Sequence, residues 1–166
     1  TLTETQLSVA AVSSSRFGLL FSREVEGQIY AQPLYVPSVT VPGRGTRNVV
    51  FVATEHDMVY AFDADDPAAS EPLWTADLGP AVPAADIMTA GECHNLEPEI
   101  GITAPPVIDL ASNTLYVLAK TREDGAYPHR LHALDLRTGR DREGSPVDVG
   151  GEVPGTGNGT HDGVVT

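Results

Sequence analysis

Apolar residues in this chain gather in short runs separated by polar and turn-forming residues. Val49-Val50-Phe51-Val52 is a β-branched and aromatic run with polar residues on either side, the pattern of a strand covered on both faces. Glu55-His56-Asp57 interrupts it and Met58 to Phe62 resumes it, which predicts a hairpin with a short loop. No long segment repeats apolar positions at helical spacing strongly enough for a helix. Thr5 to Ser14 offers at most a short turn.

The strand-like segments recur. Ala31-Gln-Pro-Leu-Tyr-Val36 is echoed by Ala104-Pro-Pro-Val-Ile-Asp109, and Asn48 to Thr54 by Thr114 to Lys120. Val59-Tyr-Ala-Phe-Asp-Ala-Asp65 is echoed by Leu131-His-Ala-Leu-Asp-Leu-Arg137. The echoes lie roughly 70 residues apart, with small differences of the kind loop insertions produce in a repeated unit. Glu71 to Leu78 and Ser145 to Val149 supply a fourth strand to each unit, and Arg16 to Val25 reads as a related strand ahead of the first. Four-stranded units of this length fit blades around a channel. A β-sandwich also accommodates short strands but does not predict the repeat.

The expected fold is therefore all-β: a β-propeller fragment of about two four-stranded antiparallel blades, with an N-terminal strand completing another blade. Its organisation reads as a lead-in with an outer closing strand (1–26), blade 1 (27–79), an inter-blade loop (80–102), blade 2 (103–150) and a connector to a further blade (151–166). An incomplete ring leaves edges and faces unpaired, so the expected partners are the remaining blades or neighbouring subunits.

Charge narrows the partners further. Ten basic against twenty-three acidic residues give a net charge of −13 and a pI near 4.5. Nucleic-acid affinity rests on cationic side chains, so nucleic acid is excluded as a partner. No apolar run is long enough for a membrane span. Cys93 is the single cysteine, so no disulfide forms within these 166 residues. A start at Thr1, without initiator Met or signal peptide, reads as a processed or excised segment.

Ala133-Leu-Asp135-Leu-Arg-Thr138-Gly139 resembles the A-x-D-x-x-T-G core of the tryptophan-docking motif of quinoprotein alcohol dehydrogenase-like propellers, and Ala61-Phe-Asp63 followed by Leu73-Trp74 is a looser copy. The second copy has Glu143 where a Trp is expected. Independently of the family, a short Asp can fix a turn, Gly139 tolerates positive φ, and Trp74 can bury its ring against a neighbouring unit. The phrases Gly27 to Tyr35, Ala53 to Asp57 and Pro98 to Thr103 are similar to those of secreted bacterial propeller proteins, a group with no settled reaction. The resemblance spans roughly residues 16–150 and implies an extracellular or periplasmic setting.

The resemblance also implies where a quinone cofactor and calcium would sit in the dehydrogenases. Tyr30 stands where a calcium-binding Glu is expected, and Cys93 stands where the family has two adjacent cysteines. The leading expectation is accordingly a rigid binding or assembly scaffold within a longer chain, with no cofactor. The alternative is a fragment of an alcohol or sugar dehydrogenase dependent on pyrroloquinoline quinone and calcium; a polysaccharide-binding module is a third reading.

The long loop from Ala76 to Thr103 carries Asp86, Glu92, Cys93, His94, Glu97 and Glu99. Glu92, His94, Glu97 and Glu99 are the candidate metal ligands, since carboxylates suit calcium while His and Cys suit zinc. Their spacing matches neither an EF-hand nor a CxxC site. His56 and Asp57 are expected at a polar hairpin tip, and His132, within an apolar strand, reads as a hydrogen-bonded core residue. Asn158-Gly-Thr160 has the form of a glycosylation site.

Overall fold

The computed structural model describes residues 8–13, 15, 17–88, 95–156, 160 and 162–165. Two four-stranded antiparallel sheets dominate it, and each is a simple meander. The first is formed by β1 (Leu34–Val41), β2 (Gly45–Ala53), β3 (Met58–Asp63) and β4 (Trp74–Asp77), in that spatial order. A short pair, β5 (Val82–Pro83) and β6 (Glu99–Ile100), follows, with the single-turn helix α2 (Ala84–Ile87) between its strands. The second sheet is β7 (Val107–Asp109), β8 (Thr114–Lys120), β9 (His129–Asp135) and β10 (Val147–Val149). A small hairpin of β11 (Val153–Pro154) and β12 (Val164–Val165) ends the described chain. The other helix, α1 (Val9–Val12), is a single turn whose Ala11 amide donates to the Ser8 side chain at 3.1 Å.

Alternation sets which side chains meet. In the first sheet Leu34, Phe51, Ala61 and Trp74 oppose one another across all four strands, so they share a face. That face carries the core together with Val49, Ala53 and Val59. The second sheet meets it with Leu115, Val117, Ala119 and Leu134, all fully buried. The two sheets thus share one apolar seam, which accounts for strands apolar at successive positions.

The register corrects one detail of the repeat. Sequence similarity pairs Phe51 with Val117, but Phe51 opposes Ala61 while Tyr116 opposes Ala133. Tyr116 is therefore the structural counterpart of Phe51. A one-residue slip exchanges the two faces of a strand, and here it means the sheets stack head to tail. The Phe51 face of the first sheet packs on the opposite face of the second. The second sheet's own equivalent face carries Val107, Tyr116, Leu118, Leu131, Val147 and Val149, and Val107 is 64% exposed.

Two other expectations differ from the structure. Phe17 to Val25 forms no strand. The lead-in crosses a face of the first sheet instead of lying along its edge: Val25 packs on Val52, Tyr60 and Phe62, the Glu26 N–H donates to Tyr60 Oη at 3.1 Å, and Arg23 donates to the Asp66 carbonyl at 2.6 Å. A segment lying on a face has no neighbouring backbone in its plane with which to form a ladder. Residues 80–102 are not a plain loop either, because β5, α2 and β6 organise much of it.

Candidate functional site

The turn between β2 and β3 is the most chemically unusual place in the described chain. The Thr54 N–H donates to the Met58 carbonyl at 3.0 Å and closes the hairpin, while Asp57 turns the chain with φ 54°. Short polar Asp tolerates that left-handed backbone. Three other segments clamp the turn. The Glu55 N–H donates to Gln28 O at 2.9 Å, the Leu78 N–H to Asp57 O at 3.0 Å, and the Ile102 N–H to Thr54 O at 3.3 Å.

Being clamped, the turn is covered. The polar residues stand at the hairpin tip as expected, with His56 exposed, but Glu55 is 1% exposed and Asp57 is fully buried. Residues 99–103 lie over it, and Gly101 makes the approach possible. A Cβ at Gly101 would sit 2.4 Å from Glu55 O and 2.5 Å from Asp57 Oδ1. Glu55 Oε2 accepts hydrogen bonds from the Gly101 N–H at 2.8 Å and from Thr103 Oγ1 at 3.1 Å. Glu55 Oε1 and both Asp57 carboxyl oxygens have no hydrogen-bond partner. Burial, reinforced by the charges of Glu55, Glu99 and Asp77, pushes the Asp57 carboxyl up to about 8.

Beside this buried pair lies an open cleft of about 570 Å³ lined by Glu26, His56, Met58, Asp77, Pro80 and Glu99. His56 Nδ1 is 2.8 Å from Glu99 Oε1, and its Nε2 is 4.0 Å from Glu26 Oε2. A carboxylate on Nδ1 fixes the orientation of the ring and favours the tautomer that leaves Nε2 as an acceptor. The cleft therefore presents carboxylates and an oriented imidazole, a lining suited to cationic or hydroxyl-bearing groups.

Of the metal candidates, Glu99 enters this cleft through its bond to His56. Glu97 is exposed ahead of Pro98, and Glu92 and His94 lie outside the described residues. Among the described residues no three His, Cys, Asp or Glu side chains are arranged to hold a metal ion. Tyr30 donates its hydroxyl to the Asn95 carbonyl at 2.5 Å. His132 is buried with Nδ1 3.1 Å from Asp141 Oδ2.

The residues of the docking-like motif meet at the seam between the sheets. Trp74, opposite Ala61 in the ladder, donates its indole N–H to the Leu136 carbonyl at 3.1 Å. Its ring lies against Gly139, where φ is 69° and a Cβ would come within 2.4 Å of Trp74 Cε3. Asp63 Oδ1 accepts from the amides of Asp65 and Asp66, and Asp135 Oδ1 from that of Arg137. Thr138 Oγ1 accepts from the Arg140 N–H at 3.4 Å.

Sequence reasoning missed Glu55 altogether. The available signal was Gly101 between Ile100 and Ile102, since a glycine inside an apolar run marks close backbone approach. Family models, curated proteins and solved structures give no match to this chain, so its function is argued from this geometry.

Proposed function

We propose that the chain is part of a secreted, propeller-like scaffold in which four-stranded sheets stack head to tail and present their connecting loops as a rigid binding surface. One observation carries this reading: the two sheets share strand order and register yet meet through unlike faces. A heterologous contact of that kind leaves the second sheet with the same apolar face that the first has already buried, and repetition of the contact generates a ring or a filament. The occupant proposed for the face of Val107, Tyr116 and Val147 is a further four-stranded sheet of the same kind. The Trp74 contact with Leu136 and Gly139 supports the resemblance to quinoprotein-like propellers, because it ties one repeat to the next.

The test is Tyr116→Lys in the full chain, with stability measured by urea denaturation. A covered face predicts a loss of roughly 1.5–3 kcal/mol, the worth of burying a large side chain. A change within about 0.5 kcal/mol, the usual cost at a free surface, would remove the proposed neighbour.

A further inference from the structure

Asp57 is ringed by acids. Its own turn supplies Glu55, β4 supplies Asp77 and β6 supplies Glu99, while His56 is held by Glu99 and faces Glu26. On the side of β8, the Lys120 N–H donates to the Gly101 carbonyl at 3.3 Å, but the Lys120 ammonium turns to the Tyr127 carbonyl at 3.4 Å. Neither carboxyl oxygen of Asp57 has a hydrogen-bond partner. Gly101 fills the point on which Glu55 O and Asp57 Oδ1 converge, as the 2.4 and 2.5 Å distances to a Cβ there show. Among the described residues no three His, Cys, Asp or Glu side chains are arranged to hold a metal ion, and a side chain finds no space at that point. A proton needs none.

We propose that Asp57 is a proton-operated latch: its neutral carboxyl lets the β2–β3 turn close against residues 99–103, and ionisation loosens that junction. The junction is a strategic one. Thr54 O holds the Ile102 amide, and Gly101 O holds the Lys120 amide at the end of β8, so the turn of the first sheet reaches the second through this segment. Ionised, Asp57 adds a negative charge beside Glu55 in a buried site, and both desolvation and repulsion oppose that.

The sign follows from the direction of the shift. The carboxyl is raised from 3.8 to about 8 on folding, so the folded chain holds the proton over a range where the unfolded chain has released it. The contribution is fully present below 3.8, is lost as pH rises, and has been lost once pH exceeds about 8.

Hydrogen exchange at the Gly101 and Ile102 amides of the full chain, corrected for the intrinsic pH dependence of exchange, tests the latch. The opening constant is expected to rise about tenfold per pH unit within that window. Asp57→Asn keeps the shape of the neutral acid and tolerates the left-handed backbone; it should abolish this pH dependence. Infrared spectra provide a second readout, with a carboxylic C=O band in the wild type that Asp57→Asn removes. An unchanged pH slope in Asp57→Asn, or no difference in that band, overturns the proposal. So does suppression of the wild-type slope by calcium, which would assign the site to a cation.

Discussion

Three aspartates at strand ends and turns come to different ends. Asp63 and Asp135 close each β3-type strand by accepting backbone amides, and Arg137 beside Asp135 holds that carboxyl below its ordinary value. Asp57 sits in the turn ahead of β3, and its carboxyl finds no donor. The difference lies in what covers the turn. Gly139 makes the same point from the opposite side, since its missing side chain is the space occupied by the Trp74 ring. Gly139→Ala is therefore expected to cost roughly 1–2 kcal/mol for the left-handed backbone. Crowding against the indole adds roughly 1–3 kcal/mol. Thermal melting or urea denaturation would check this, and a neutral result would mean the ring does not rest on that turn.

At the scale of the element, β8 is the strand on which the seam depends. Leu115, Val117 and Ala119 point into it and are fully buried, while Tyr116 points away. Leu115→Ala should cost roughly 2–5 kcal/mol, through lost transfer energy and the cavity left behind. Urea denaturation of the variant measures it, and a cost below about 1 kcal/mol would place Leu115 outside a packed core. β8 was legible in the sequence to its limits and β9 to within two residues at each end, because apolar runs between turn residues are a local property. The supposed strand from Phe17 to Val25 was not, since a run of strand-forming residues says nothing about whether a neighbour lies beside it or beneath it. Val25 covers a face of the first sheet, while Phe17, Leu19 and Leu20 are exposed.

For the molecule as a whole, a net charge of −13 is spread over 166 residues, and self-repulsion of that kind opposes compaction. Added monovalent salt should raise the melting temperature by screening it. The effect should be monotonic at moderate ionic strength, and scanning calorimetry across a salt series would reveal a flat or falling trend if the surface charges were already balanced by local pairs. Several such pairs exist: Arg130 binds Glu123 and Asp148, and Arg122 lies 3.0 Å from Asp86. They engage a minority of the acids, so the net repulsion remains.

The order of strands, the doubled unit and the turn chemistry were written in the sequence, because alternation, β-branching and turn residues act over a few positions. Which face of each sheet turns inward was decided only by tertiary structure. A single-residue slip between Phe51 and Tyr116 is invisible to similarity, yet it exchanges buried for exposed. The candidate site was decided in the same way. Glu55 and Asp57 look like an ordinary polar turn until Gly101, far along the chain, closes over them and buries the Asp57 carboxyl, which disfavours its charged form.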